Sequence, residues 1–480
     1  MSQKNNSSSR RRPLLSLVLL APNIALLVML PTLAVTVLVA LASTASTQAA
    51  AIPATVVNPL PSYISQHLGP YTPWFPVGDY EAPPASCQLE QVSILQRHGA
   101  RFPTASAGKK YAASVAKLQQ NATSLAGNLQ FVKSYTYSLG ADTLTPLGAQ
   151  QSRQAGATAY QRYKGLITRS KKLPFVRSDS QQRVVDSASN WTAGFFQQSG
   201  VTHLPTTQVI NNAFGSNDTL DNNNCPSAPD MSSFEKNYLT TFLAAATARF
   251  NANAPGASLT TTDVLNFMQI CGMESQYTQK LSPFCKLFSR QEFVAGEYYY
   301  DLDKYYGNGA GNALGPVQGV GYVNELLSRL TGDRSYVLAD ETQVNQTLAR
   351  SQSTFPIGTN SPAIFADFSH DNEITSILAA MGLKKPASPL AASGPSPDQV
   401  WVTSEIVSFS GRLVTERLSC GGDGFVRFFI NDQLQIPTFC AGADSQTGLC
   451  ALDAFVESQS YARASGNGDY LKCGYKPLSA

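Results

Sequence analysis

Hydrophobic positions along this chain follow two different periods. Short, nearly continuous apolar runs at Leu89–Gln96, around Phe175 and Val176, and at Ala363–Phe368 predict buried strands. Further strand-like segments follow at Ile406–Ser410, Arg412–Leu418 and Val426–Asn431, the last pair flanking Gly421-Gly422-Asp423-Gly424 like a hairpin. Helical spacing marks Gly108–Ala122, where Tyr111, Val115 and Leu118 share a face, and the segment after His370, where Ile374, Ile377, Leu378 and Met381 do. Phe234–Phe250, Leu259–Met273, Arg290–Tyr305 and Tyr322–Leu330 also read as helices, and no strand interrupts residues 226–306. Asn211–Pro229 is a loop by composition, and residues 50–86 read as an extended arm wrapping the body. Gly307–Gly321 is glycine-rich but lacks the Gly-Lys-Ser/Thr ending of a phosphate loop, so a linker or tight turn is expected. The pattern predicts an α/β domain made from both chain ends, 50–225 and 307–480, with a smaller all-α domain inserted at 226–306.

Composition changes this picture mainly at the N-terminus. An uncharged, mostly apolar run from Pro13 to Ala42 follows Arg10-Arg11-Arg12, within a segment 1–49 that reads either as a cleaved signal peptide or as a signal anchor. Ala49-Ala50-Ala51 offers a cleavage site, whereas the length of the run would suffice to span a bilayer. Both readings put the body outside the cytosol, secreted or membrane-anchored. Removing the four N-terminal bases leaves 31 Lys and Arg against 32 Asp and Glu, which excludes nucleic-acid binding driven by bulk charge. Eight cysteines without a Cys-x-x-Cys, and only four histidines, exclude zinc-finger spacing and point to disulfides in an oxidising compartment. Asn121, Asn190, Asn217 and Asn345 open glycosylation sequons. Nothing resembles a coiled coil, and a monomer is expected.

The candidate chemistry lies in Arg97-His98-Gly99-Ala100-Arg101-Phe102-Pro103, directly after a predicted strand. A neutral imidazole is a competent nucleophile toward phosphorus, and two guanidinium forks suit the oxygens of a phosphoryl group. A second histidine, His370, follows another predicted strand in Phe368-Ser369-His370-Asp371-Asn372, and anion sites gather where strands end and helices begin. Arg177 is expected to supply the third arginine, with Arg183 a surface charge on the following helix. Asp371 is placed to protonate a leaving alkoxide, keeping its proton beside a bound phosphoryl group. Lys109-Lys110 read as solvated charges, and His67 and His203 carry no supporting pattern.

These motifs resemble those of the histidine acid phosphatases, and the likeness extends to fungal phytases over residues 60–480. It rests on Leu144-Thr145-Pro146-Leu147-Gly148, Leu281-Ser282-Pro283-Phe284-Cys285, Lys304-Tyr305-Tyr306-Gly307 through Asn324-Glu325-Leu326, and Ser460-Tyr461-Ala462-Arg463. Asp301-Leu302-Asp303-Lys304 and Ala451 through Ser458 look most like the basidiomycete branch. The resemblance implies a cofactor-free, metal-free phosphomonoesterase with a phosphohistidine at His98, acting on phytate, a small polyanion. Arg97, Arg101, Arg177 and His370 would hold the phosphoryl oxygens, Asp371 would be the acid, and Tyr71, Lys304 and Asn372 would line the pocket. It also implies the pairings Cys87–Cys420, Cys225–Cys473, Cys271–Cys285 and Cys440–Cys450. Ala107 and Asp303 stand where the ascomycete phytases carry lysines, which should weaken ground-state binding of phytate. A broad-specificity acid phosphatase would differ only in pocket charge, while a catalytically silent secreted binding glycoprotein would not need the intact set.

Overall fold

The computed structural model describes residues 58–475 apart from 198, 200, 202 and 203, so the hydrophobic segment 13–42 and His203 lie outside the described residues. Eight strands, β1 (Cys87–Arg97), β2 (Phe175–Asp179), β3 (Gln208–Ile210), β4 (Ile364–Ser369), β5 (Arg412–Cys420), β6 (Asp423–Ile430), β7 (Gln433–Gln435) and β8 (Cys450–Ala451), form one sheet. Its order is β3-β2-β4-β1-β5-β6-β7, with β8 on β6. The half made of β3, β2, β4 and β1 is parallel and the half from β1 to β7 antiparallel. A parallel half needs long crossovers and cover on both faces. Every residue of β4 is accordingly buried.

The crossovers are helical: α1 (Ala105–Asn121), α2 (Pro146–Ser170) and α3 (Gln182–Phe196), then α4 (Ser233–Phe242), α5 (Ala244–Asn253), α6 (Thr261–Thr278), α7 (Arg290–Gly307), α8 (Val320–Thr331) and α9 (Asp371–Met381). Sequence sets their starts. Thr145 caps α2 by accepting from the Gly148 N–H, with Pro146 in the first turn, and Thr260 with Asp263 and Ser289 with Glu292 form capping boxes on α6 and α7. One apolar core joins Ala159, Tyr163, Trp191 and Phe195 of α2 and α3 to Val92, Ile94, Val176 and Phe368 of the sheet. A second joins Leu326, Leu330, Ile377 and Leu378 of α8 and α9 to Leu95, Leu413 and Phe428. Ile94 and Leu95 thus enter different cores, as alternation along a strand requires. This is the helix-covered α/β sheet that the apolar pattern predicts.

The helices of 226–306 share a third core with segments outside those bounds. Leu239, Phe250, Phe267 and Phe293 pack with Leu60, Ile64 and Leu68 of the arm and with Tyr111, Val115 and Leu118 of α1. Two local readings are corrected. Phe234–Phe250 is two helices meeting at Leu243 rather than one. Ile406–Ser410 is no ladder strand: a helical turn at Thr403–Ile406 leads into a single pairing of Phe409 with Pro73. Its backbone is used otherwise, since the Val407 carbonyl accepts from Arg97 and the Ser410 N–H donates to the His98 carbonyl. All four disulfides join the pairs that the resemblance implies. Cys87 and Cys420 are direct partners across β1 and β5.

Candidate active site

Parallel pairing of β1 with β4 places Arg97 level with Ser369, so the residues just beyond, His98 and His370, emerge side by side. Their ring centroids are 5.5 Å apart, and the His98 N–H donates to the Ser369 carbonyl. His98 is buried and its Nδ1 lies 2.9 Å from the Gly99 carbonyl. A carbonyl only accepts, so Nδ1 carries the hydrogen and Nε2 keeps a free lone pair. Burial, then the charges of Arg97 and Arg101, hold this imidazole well below its ordinary proton affinity. This imidazole therefore stays neutral in mild acid.

Arg97 is fully buried across the Phe409 ring, its carbon 4.6 Å from the centroid. Its Nη1 donates to the carbonyls of Pro70 and Val407, and its Nη2 stands 3.4 Å from Asp371. Asp371 opens α9, where a carboxylate suits the helix N-terminus. Lys304 on α7 reaches Asp371 at 2.9 Å and donates to the Asn372 Oδ1 at 2.6 Å. Burial alone would raise the Asp371 carboxyl, but Arg97 and Lys304 outweigh it and hold the group well below the usual range. Tyr71 packs edge-on to Tyr300 and against Phe409, beside Arg97. Arg101 donates through Nη1 to the Phe102 carbonyl and leaves a buried Nε unpaired.

One expected ligand is elsewhere. Arg177 lies within β2, where Glu325 takes its two terminal nitrogens at 2.9 and 2.7 Å and Asp367 takes its Nε at 2.7 Å. Two buried carboxylates saturate this guanidinium, and none of its fork is left for a phosphoryl group. The further arginine beside His98, Arg97 and Arg101 is Arg183, read from sequence as a surface charge. It stands in the first turn of α3, its Nε is buried without a partner, and its charge acts on His98, Arg97 and Arg101. The signal for it was its place just after the strand, at a helix start. Asp179, the last residue of β2, was also missed; it meets His370 Nε2 at 2.9 Å.

Glycine matters at one crossing. A Cβ on Gly99 would sit 2.4 Å from the Gly148 carbonyl oxygen, and one on Gly148 would sit 2.1 Å from the Ala100 oxygen. The start of α2 therefore rests directly on the loop that carries His98. Of the sequons, Asn121 is exposed, while Asn190 is buried within α3 and donates to the Asp186 carbonyl, leaving no room for a glycan in the folded chain. Asn217 accepts from Tyr475 and Asn345 caps a short helix.

Comparison with known proteins agrees with this arrangement. The model of the histidine phosphatase superfamily (branch 2) matches residues 88–431. Phytase A of Aspergillus awamori is 38% identical over 434 residues, spanning 85% of this chain and 90% of that protein. Phytase A of Aspergillus fumigatus is 37% identical over 433 residues, spanning 84% and 90%. Among solved structures, the phytase from D. castellii aligns with a TM-score of 0.71 at 24% identity, covering 87% of this chain and 88% of its own. The chain belongs to the histidine phosphatase superfamily, branch 2. Within it, this is a histidine acid phosphatase of the fungal phytase group, a phosphoric monoester hydrolase.

Proposed function

We propose that the protein removes phosphate from phytate, myo-inositol hexakisphosphate, outside the cytosol through a phosphohistidine on His98. One observation carries the reading: a buried imidazole, held neutral and with a free Nε2, stands among Arg97, Arg101, His370, Arg183 and the Asp371 carboxylate. Arg97, Arg101, Arg183 and His370 hold the phosphoryl oxygens. Nε2 of His98 attacks phosphorus, and the phosphorus–oxygen ester bond breaks as Asp371 protonates the departing alkoxide. Water then attacks the phosphohistidine, gives its proton to the Asp371 carboxylate and releases inorganic phosphate. Before substrate arrives, Arg97 and Lys304 keep Asp371 ionised. A phosphoryl dianion competes for those same cations and so returns the proton affinity that the acid step needs.

The Phytase A relatives support the substrate, and four disulfides support an oxidising, extracellular setting. Phosphate release from phytate at mildly acid pH, measured beside His98→Ala and with an aryl phosphate as second substrate, tests both steps. Activity on phytate that vanishes in the variant is the expected result; activity confined to the aryl phosphate would keep the chemistry and remove the substrate. That second outcome has one structural argument. Lys304 is engaged by Asp371 and lies 3.5 Å from Asp303, so this lysine offers phytate little unpaired positive charge.

A further inference from the structure

His370 is held from behind. Strands β2 and β4 pair in parallel with Ser178 level with Phe368, so Asp179 stands beside Ser369 and reaches His370 just beyond the strand end. The Asp179 Oδ1 lies 2.9 Å from His370 Nε2 and also accepts the Gln181 N–H at 2.8 Å, where the chain turns into α3. Asp179 is fully buried. Among the described residues its Oδ2 has no hydrogen-bond partner from an N–H or hydroxyl group, and neither has the buried Oδ2 of Asp218. The two carboxyls lie against each other, and burial, then the charge of Asp179, push Asp218 well above the usual carboxyl range. A neutral Asp218 donating to Asp179 satisfies both orphan oxygens. The loop that carries Asp218 is tied to the end of β4, because Ser369 Oγ donates to the Leu220 carbonyl and the Leu220 N–H donates to Asp218.

We infer that Asp179 is a positioning residue for the phosphatase reaction: it claims Nε2–H of His370 and so presents Nδ1 to the phosphoryl group. A carboxylate can only accept, so Nε2 must carry hydrogen, and a ring that also donates from Nδ1 is an imidazolium. Asp179 supplies the counter-charge for that cation without approaching the substrate itself, and Asp218 keeps the carboxylate in place. The inference rests on the phosphohistidine reading above and names the group that makes His370 useful within it.

The chain has four histidines, so protein labelled with nitrogen-15 at histidine gives a spectrum in which His370→Ala assigns the His370 signals. The expected spectrum with inorganic sulfate bound shows His370 protonated at both nitrogens, with a far-downfield Nε2–H that Asp179→Asn abolishes. In phosphate release from phytate and from an aryl phosphate, Asp179→Asn is expected to lose about 10- to 100-fold in kcat/KM, the usual cost of removing the partner that orients a working histidine. The same substitution in a His370→Ala background should cost nothing more, because its effect runs through that ring. An equal loss in both backgrounds would overturn the inference, as would a wild-type spectrum unchanged by Asp179→Asn. So would loss of wild-type activity on chelation with recovery in Zn²⁺, since Asp179, Asp221 and His370 bring their ligand atoms within 4.8 Å of one another and Nε2 would then be a metal ligand. Thermal melts accompany each variant. If Asp179→Asn does not fold, Asp179→Ser takes its place, and failure of both marks Asp179 as a purely structural residue. His98→Ala separates the two levels: activity surviving there sinks the phosphohistidine reading, whereas a dead His98→Ala with a fully active Asp179→Asn sinks this inference alone.

Discussion

Arg183 follows Arg177 by six positions, and the two guanidinium groups have different surroundings. Arg177 is neutralised by Glu325 and Asp367, which lie 148 and 190 residues away in the chain. Those partners are invisible to local pattern, so an arginine after an apolar run looked available when it was not. Substitution separates the roles. Arg183→Ala should leave the urea midpoint nearly unchanged and lower kcat/KM about 10- to 100-fold, the worth of one charged hydrogen-bond partner. Arg177→Ala should instead cost about 3–5 kcal/mol of stability, because it strands buried carboxylates. Equal effects of the two on stability would refute the assignment of Arg183. Asp371 offers a second residue-scale test. If a bound anion returns its proton affinity, sulfate binding near pH 5 should take up close to one proton per site, and Asp371→Asn should abolish the uptake. Calorimetry of sulfate binding in buffers of different ionisation enthalpy measures this directly; no uptake in the wild type would remove Asp371 as the acid.

At the scale of elements, the site is a product of where strands stop. β1 delivers Arg97 and His98, β4 delivers His370, and β2 delivers Asp179, each at a carboxyl end and each followed by a turn into helix or loop. The apolar runs that mark these strands and the cap residues that start the helices are local signals, which is why the strand-end histidines could be read from sequence. The segment Ile406–Ser410 could not. Its apolar residues are buried as a strand's would be, but its backbone groups serve Arg97 and His98 instead of a neighbouring strand. The contact between the loop after β1 and the start of α2 was equally hidden, since it depends on two glycines 49 residues apart. Gly148→Ala should therefore disturb the loop that carries His98. A Cβ there meets backbone, which cannot swing aside, so a loss of about 1–3 kcal/mol in stability is expected together with a fall in kcat. An active, fully stable Gly148→Ala, assayed beside its thermal melt, would show that the loop has slack that the structure does not suggest.

Across the molecule, several buried acids lie in the helices and loops around the sheet, and these bear on the pH range in which the fold is secure. Glu373, on the first turns of α9, is the clearest. It is fully buried, neither carboxyl oxygen has a hydrogen-bond partner among the described residues, and the carboxyl groups acting on it are those of Asp221, Asp218 and Glu325. Burial first, then the charge of Asp221, pushes its carboxyl well above the ordinary value. The sign follows from proton counting. The folded chain keeps this proton at pH values where the unfolded chain has lost it, so the contribution is whole below the usual carboxyl range and disappears as pH rises through the raised value. Asp218 and Asp301 are raised in the same way, and Glu297 is pushed up to about 7. The Arg177–Asp367 pair does not oppose this in acid, because burial is outweighed there by Arg177 and Arg329 and Asp367 stays ionised far below the usual range. The fold should then be most secure in acid, where the His98 imidazole is still neutral and the Asp371 chemistry runs. Glu373→Gln isolates one member of the set, since an amide of the same shape has no proton to lose. Urea midpoints should nearly coincide for parent and variant at about pH 4, and the variant should gain on the parent by about 1.4 kcal/mol for each pH unit above that until the Glu373 carboxyl ionises in the folded chain. Parallel curves across the range would show that Glu373 carries its charge in the native state, and that the acids behind the site are compensated by something other than their protons.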